Sequence, residues 1–209
     1  MKYFKVLIIL MLSCVITNSQ SVFKINYNVS FPNSNMKQYV DKTSFSGLNF
    51  EYGRYFSRGS YSLGVMFGWN VFSEQFYGTT NFNTQLGNGT INGAITGNQL
   101  KYINAFPMLI TATYYFKPSE HTVIPFIGLG TGAYYVTQKY QAGIWEVEND
   151  TWHFGISPEA GVTFKLENRF GLNTSARLNY AFDSGESITG KEENDFSFWS
   201  INLGLTYVY

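Results

Sequence analysis

The chain has one cysteine, few charges and no long apolar run. A helix that crosses a membrane needs about 20 mainly apolar residues, and polar residues interrupt every candidate here. Charged residues make up 13 %, and the 14 basic and 14 acidic side chains leave a net charge of zero. No basic cluster is present, which argues against a nucleic-acid partner. We also expect no cofactor and no metal, because no binding motif for either is recognisable.

The N-terminal segment is typical of a secretory signal peptide. Lys2 and Lys5 form a basic start, Val6–Leu12 is apolar, and Thr17–Ser19 offers small residues for cleavage before Gln20. We therefore predict a signal peptide over residues 1–19 and one domain over 20–209, without cysteine and so without disulfides. An alternative is a lipobox that ends at Cys14, which would make acylated Cys14 the mature N-terminus.

What the sequence does have is aromatic residues, at 19 %, and 20 glycines. Over residues 199–209, large apolar side chains alternate with small or polar ones, which is the period of a β-strand with one apolar face. The mean hydropathy of −0.11 does not exclude a membrane protein, because a membrane-spanning strand is only half apolar.

The same alternation predicts eight strands, each near the roughly 9–11 residues that a tilted membrane strand requires. The predicted strands are Val22–Phe31, Phe45–Phe56, Tyr61–Phe72, Tyr102–Phe116, Val123–Thr137, Trp152–Leu166, Phe170–Phe182 and Phe196–Tyr209. Short connections (Ser57–Ser60, Lys117–Thr122, Glu167–Arg169) alternate with long polar ones (Pro32–Lys42, Ser73–Lys101, Gln138–Thr151, Asp183–Asp195). This alternation favours short periplasmic turns and long extracellular loops.

Two hairpins can be given a register. Pairing Leu166 with Phe170 sets apolar residues opposite apolar residues and brings Glu159 opposite Arg177. The hairpin around Arg58-Gly59 sets Phe50 by Phe67 and Gly53 by Gly64. Together with the eight alternating segments and their connections, the two registers predict an all-β, eight-stranded antiparallel up-and-down transmembrane β-barrel.

The apolar face is expected to point outward. The other face is polar, sparsely charged and often small, which suits a narrow packed lumen, and the many aromatic side chains would overfill one small soluble barrel. Aromatic residues also concentrate near the strand ends, as in the two interfacial girdles of membrane barrels. They are Tyr55, Phe56, Tyr61, Tyr114, Phe116 and Phe170 near the short turns, and Trp69, Tyr135, Trp152, Phe182 and Trp199 near the long loops.

The segments Pro125–Tyr135 and Phe154–Val162 resemble middle strands of the small outer-membrane β-barrel family that includes OmpA-, OmpX- and OmpW-like proteins. The last strand resembles the insertion signal of such barrels, with Asn202, Gly204, Tyr207 and Tyr209 as the matching residues. The resemblance implies a monomer in the cell outer membrane of a Gram-negative envelope. Its partners would be outer-membrane lipids, lipopolysaccharide and, during biogenesis, the barrel-insertion machinery.

Four charged residues are predicted on the inward face: Glu159 and Arg177 as a pair, joined by Glu51 and Lys24. Buried charges must be paired and hydrogen-bonded, so a polar plug is the structural interpretation. A gated ion path is the functional alternative. The plug is preferred over the ion path. We predict a structural or surface-interaction role, and we do not expect an enzyme.

Pro107 and Pro158 interrupt predicted strands, where each removes a ladder hydrogen bond. One interpretation is a β-bulge near the rim. The other is a lateral opening in the wall that passes small hydrophobic solutes into the membrane, as in OmpW-like barrels.

Two further hypotheses concern chemistry and binding. His153 shares the inward face with Ser157 and Glu159, and enzymes of this fold that modify lipid A use a histidine, a serine and a carboxylate. The other histidine, His121, falls in a predicted periplasmic turn. The acidic segment Asp183–Asp195 could hold a divalent cation or meet lipopolysaccharide through one. The segment Ser73–Lys101 is either a sheet extension that forms an adhesive ribbon or a mobile loop.

Overall fold

The structure is a computed structural model, and it describes residues 20–56, 59–86, 89–116, 122–143, 145–166, 169–182 and 195–209. Eight antiparallel strands follow one another around a closed barrel, in which β8 pairs with β1. The elements are β1 (Ser21–Asn33), α1 (Ser34–Tyr39), β2 (Ser44–Phe56), β3 (Tyr61–Leu86), β4 (Gly89–Tyr115), β5 (Val123–Ala142), β6 (Trp145–Lys165), β7 (Phe170–Phe182) and β8 (Asp195–Val208). The predicted signal peptide and Cys14 lie outside the described residues.

The barrel is apolar outside and polar in the middle of its interior. In β8, Ile201 and Leu203 are 53 % and 62 % exposed, whereas Ser200 and Asn202, which alternate with them, are 2 % and 0 % exposed. A protein that folds in water buries its large apolar side chains, so this reversed pattern matches a wall that faces hydrocarbon. The predicted direction of the two faces is confirmed for this strand.

Both predicted hairpin registers are confirmed. Glu159 faces Arg177 and Phe164 faces Leu172 between β6 and β7, and Phe50 faces Phe67 between β2 and β3. A slip of one residue would have turned every lipid-facing side chain into the lumen, so the apolar alternation specifies the pairing strongly.

Aromatic side chains form two rows on the outer wall. Near the short turns, Tyr61 and Tyr114 have ring centroids 4.9 Å apart. Near the long connections, neighbouring rings follow one another across four strands: Trp69, Phe106, Tyr135 and Trp152. Tyr55 was expected in the first row, but it points inward and packs edge-on against Tyr115 at 5.3 Å. It is in phase with Glu51 and Gly53, so strand periodicity assigns it to the inner face.

The sheet extends well beyond the second aromatic row. Residues in the expected long loops form continuous ladders, from Ser73↔Tyr102 to Leu86↔Gly89 in β3–β4 and from Gln138↔Asn149 to Ala142↔Trp145 in β5–β6. The prediction that these segments are loops is therefore wrong, and the ribbon interpretation of 73–101 is confirmed at the level of backbone pairing. The segment 183–194 lies outside the described residues.

The expected loop Pro32–Lys42 contains the short helix α1. Met36, Tyr39 and Val40 are at most 3 % exposed and join an apolar cluster with residues of the barrel interior. The helix thus covers the mouth of the barrel on the side of the sheet extension.

Among the described residues, no helix is long and apolar enough to cross a membrane.

Candidate functional site

The lumen holds a compact cluster of four charged side chains, one pair from β1 and β2 and one from β6 and β7. Arg177 Nη2 donates to Glu159 Oε2 at 2.5 Å and lies 3.5 Å from Glu51 Oε2. Lys24 Nζ donates to Glu51 Oε1 at 3.2 Å. All four residues are at most 9 % exposed. Two positive and two negative charges therefore compensate each other inside the wall, as burial requires.

Amide and hydroxyl side chains surround this cluster and bridge across the lumen. Asn202 Nδ2 donates to Ser175 Oγ at 3.0 Å, and Ser175 Oγ donates to Glu159 Oε1 at 2.5 Å. Asn26 and Asn49 are joined at 2.8 Å, and each also contacts a residue from β7 or β8. Buried polar groups that satisfy one another in this way rigidify a core.

A few buried donors remain without a partner in the described structure. On Arg177, Nε and Nη1 have no hydrogen-bond partner, although Nη2 serves both carboxylates. Bound water is the usual partner of such groups in a polar interior.

Apolar layers close the polar layer at both ends, which the sequence interpretation missed. On the side of the short turns, Tyr115 and Phe126 pack with Tyr55, and Lys24 Nζ lies 4.9 Å above the Phe126 ring. On the opposite side the apolar cluster beneath α1 fills the interior; its barrel residues are Met66, Phe72, Ile103, Ala105, Leu109, Tyr134, Val136, Ala181, Phe196 and Phe198. These layers could have been predicted from large apolar residues that share the inner, polar face of a strand. Phe196 and Phe198, which alternate in phase with Ser200, are an example.

Both prolines lie where ladder pairing is interrupted. Between β3 and β4 pairing stops after Phe67↔Met108 and resumes at Asn70↔Ala105, which leaves out Pro107. Between β6 and β7 it stops at Ile156↔Tyr180 and resumes at Glu159↔Arg177, which leaves out Pro158.

The expectation of a β-bulge at these prolines is wrong. The register is the same on both sides of each interruption, so no residue is inserted. Proline lacks the N–H that the neighbouring strand would accept, so bonds are lost without a shift. In the described ladders, a register shift is found instead between Asn28 and Ser30, where β1 pairs with β2.

Side chains pack over the two interruptions. A Cβ on Gly68 would lie 2.7 Å from Pro107 Cγ, so β3 and β4 approach closely there. Outside this point, Trp69 and Phe106 stack with centroids 6.3 Å apart. At the other interruption, Ser157 Oγ donates to Asn179 Oδ1 at 3.3 Å across the strands. The two weak points of the backbone ladder are thus bridged by side chains.

The residues that resemble an insertion signal lie in and directly after β8, the strand that closes the barrel between β7 and β1. Asn202 lies inside, Tyr207 packs on Phe170 with centroids 4.9 Å apart, and the backbones of Tyr209 and Ser21 exchange two hydrogen bonds of 2.8 Å. A Cβ on Gly204 would overlap the Ile25 carbonyl oxygen, so only glycine fits there. Their positions explain why these residue types close the barrel; their recognition during insertion stays a prediction.

The three residues considered for catalysis have separate partners. His153 Nε2 lies 2.8 Å from Thr151 Oγ1, and its Nδ1 lies 3.0 Å from the Phe182 carbonyl oxygen. Ser157 bonds Asn179, and Glu159 bonds Arg177 and Ser175. The structure does not join them into a relay. His121 lies outside the described residues.

The extension of β3–β6 presents a polar sheet with scattered aromatic residues. Lys139 Nζ binds Glu148 at 2.9 Å and Glu146 at 3.6 Å on the outer face. The hydrogen bond with Glu148 raises the pKa of Lys139 above its usual value. At the base of the inner face, Lys101 Nζ lies over the rings of Tyr39 and Phe76, at 5.3 and 5.4 Å. Tyr77 and Trp145 are 75 % and 68 % exposed.

No protein-family model and no curated relative matches the sequence. Solved structures of outer-membrane proteins do match. The attachment invasion locus protein Ail of Yersinia pestis, in complex with the heparin analogue sucrose octasulfate, is 15 % identical with a TM-score of 0.53, over 91 % of this chain and 99 % of that one. Neisserial surface protein A is 10 % identical with a TM-score of 0.52, over 90 % and 96 % of the two chains.

A major outer-membrane protein of Thermus thermophilus is 12 % identical with a TM-score of 0.50, over 90 % of this chain and 99 % of that one. At such identities the likeness concerns the fold and not the activity. The chain therefore has the fold of the small outer-membrane proteins, an eight-stranded antiparallel up-and-down transmembrane β-barrel.

Proposed function

We propose that this chain is an integral outer-membrane protein with a closed, side-chain-filled lumen, and that it acts through the sheet extension as a surface-interaction protein. The observation that carries the closed lumen is the layering of the interior, and the surface role is supported by the long paired extension with its exposed Tyr77 and Trp145. A neutralised ionic layer lies between two apolar layers, and α1 covers the outer one.

The layering supports a structural role for the buried ions rather than an ion path. An ion that crosses would have to pass the tightly packed Phe72 and Phe198, whose centroids are 5.3 Å apart, and then break the Arg177–Glu159 pair. An interior of an eight-stranded barrel is just wide enough to be filled by side chains.

The unequal ends of the barrel support one orientation in the membrane. Membrane barrels of this kind have short periplasmic turns and longer extracellular segments. We therefore assign the extension and α1 to the cell exterior and the turns after β2, β4 and β6 to the periplasm. A cysteine introduced at Gln141 should react with an impermeant maleimide on intact cells, and one introduced at Ser60 should not.

Conductance in planar bilayers tests the closed lumen. The wild-type barrel should give no channel steps. The variant Phe72→Ala/Phe198→Ala empties part of the outer apolar layer and should leak ions more readily. A matched control, Phe154→Ala, removes a similar ring from the outer wall, where Phe154 is 60 % exposed. Regular channel steps from the wild-type protein would contradict the proposal.

The second candidate function is lateral passage of small hydrophobic solutes. The observation in its favour is the interrupted strand pairing at Pro107 and Pro158. The side chains that pack across both interruptions count against it, because they close the gaps in the wall. Exchanging both prolines for valine and measuring uptake of a hydrophobic solute tests it. Unchanged uptake would remove this candidate.

A further inference from the structure

Among the residues described, the sheet extension leaves unpaired strand edges on β3 and on β6, and also on the distal part of β4, because β4 pairs with β5 only from Gln99. Within the described ranges, β2 pairs with β3 no further than Val71, and β7 pairs with β6 only from Gly155. Both strands continue for many residues beyond these points, paired on their other side only. An unpaired strand edge is a template for another strand, and proteins usually protect it with charges, prolines or bulges.

The edges of β3 and β6 are protected very differently. The β6 segment carries Glu146, Glu148 and Asp150 within five residues of sequence. From Gln75 to Leu100, the sequence of the β3–β4 hairpin has neither a charged residue nor a proline. Its ladder also runs from Asn70 to Leu86 without a register shift, so no bulge distorts the β3 edge. The β3 edge is thus open to pairing, whereas the β6 edge is protected.

We propose that the edge Gln75–Asn81 of β3 pairs with the same edge of a second copy of this chain held in a facing membrane. The inference rests on the proposed function, which places the extension outside the cell. A neutral edge does not attract a charged partner, and it does not repel its own copy. Hydroxyl and amide side chains also pair well with identical residues across a ladder. Thr79 and Thr96 already do so within the hairpin, with their hydroxyl oxygens 2.8 Å apart.

Strand direction distinguishes a facing membrane from the same membrane. Two copies in one membrane would bring their β3 edges together in parallel, because both strands run away from the barrel. Two copies in facing membranes would pair antiparallel, which is slightly more stable per residue and suits a two-fold symmetric interface. At about 3.4 Å per residue, β3 continues roughly 45 Å beyond Phe72, which gives room for pairing between two surfaces.

The test uses two populations of vesicles with different fluorescent labels, each carrying the full mature barrel. One variant is Gln75→Lys/Thr79→Lys and the other is Gln75→Glu/Thr79→Glu; these exposed residues flank Tyr77 on the outer face. In an antiparallel pair centred on Tyr77, residue 75 of one copy lies opposite residue 79 of the other. Gln141→Lys is the control for position, because it adds a lysine to the same face in the interior strand β5, whose two edges are both paired.

We expect wild-type vesicles to tether, each charged variant alone to tether at least tenfold less, and lysine-bearing vesicles to tether again with glutamate-bearing ones. Gln141→Lys should tether like the wild type. Wild-type vesicles that stay apart, charged variants that tether normally, or mixed vesicles that stay apart would each overturn the proposal. Heat-modifiable gel mobility reports barrel folding separately. Maleimide labelling of a cysteine introduced at Gln141 reports whether the extension lies outside, so a failure of the proposed function is distinguished from a failure of edge pairing.

Discussion

Replacement of Arg177 by methionine should destabilise the barrel strongly. The substitution keeps a long side chain but leaves Glu159 and Glu51 with only Lys24 to compensate them. Removing one partner of a buried ion pair typically costs about 3–5 kcal/mol, because the remaining charge stays buried without compensation. We expect a loss of unfolding free energy in that range.

Lys139→Met provides the matched comparison. Lys139 and Glu148 are 2.9 Å apart, close to the 2.5 Å of Arg177 and Glu159, but their side chains are 34 % and 42 % exposed. Exposed ion pairs add little to stability, since water and salt screen them. Similar distances with different burial thus separate the effect of burial from the effect of contact.

The assay is urea unfolding in phospholipid vesicles, followed by tryptophan fluorescence and gel mobility. The double variant Arg177→Met/Glu159→Gln should lose less unfolding free energy than the sum of the losses of the two single variants. We expect a difference of at least about 1 kcal/mol, because the two residues interact directly. If Arg177→Met destabilises the barrel no more than Lys139→Met does, the reasoning about the buried charge cluster is refuted.

Three further predictions concern the seam, the outer wall and the extension. Gly204→Val should block barrel closure and abolish heat-modifiable mobility, because its Cβ would meet the Ile25 carbonyl oxygen. Gly78→Ala, whose Cβ would have only ordinary contacts, should fold. A normally folded Gly204→Val variant would contradict the geometry of the seam between β8 and β1. Leu203→Arg should cost about 2–4 kcal/mol of unfolding free energy in vesicles, as expected for a charge near the middle of the lipid-facing wall, and a loss no greater than that of Gln141→Arg would argue against this position. The raised pKa of Lys139 means that its pairing with Glu148 is complete below the usual lysine pKa of 10.5 and is lost as pH rises through the higher folded value; an NMR titration of the Lys139 ammonium with a midpoint at or below 10.5 would count against it.

The membrane-facing half of the fold could be predicted because one of its faces is apolar. In β6 and β7 the alternation of Phe164, Ala160 and Leu172 with polar residues specifies register as well as strand. The opposition of Glu159 and Arg177 followed from that register. The direct contact of Lys24 with Glu51 could not be read in the same way, because no register for β1 and β2 was derived.

Above the second aromatic row this signal fades. Residues such as Thr79, Thr80 and Asn81 are polar on both faces, so the ladders of the extension have no hydrophobic period and look like loops. The helix α1 is only six residues long and gains its stability from Met36 and Tyr39 packing on the barrel, which local sequence does not encode. The prolines suggested a bulge because they remove hydrogen bonds, but the register on both sides is held by pairs on either flank.

The central claim is that the exposed apolar stripes face lipid, and tryptophan quenching by brominated acyl chains tests it most directly. Single-tryptophan variants would retain either Trp199, in the outer wall of β8, or Trp145, near the end of the extension. The account predicts strong quenching of Trp199 and none of Trp145. Equal quenching of both, or a folded barrel in plain buffer whose Trp199 no lipid quencher reaches, would contradict it.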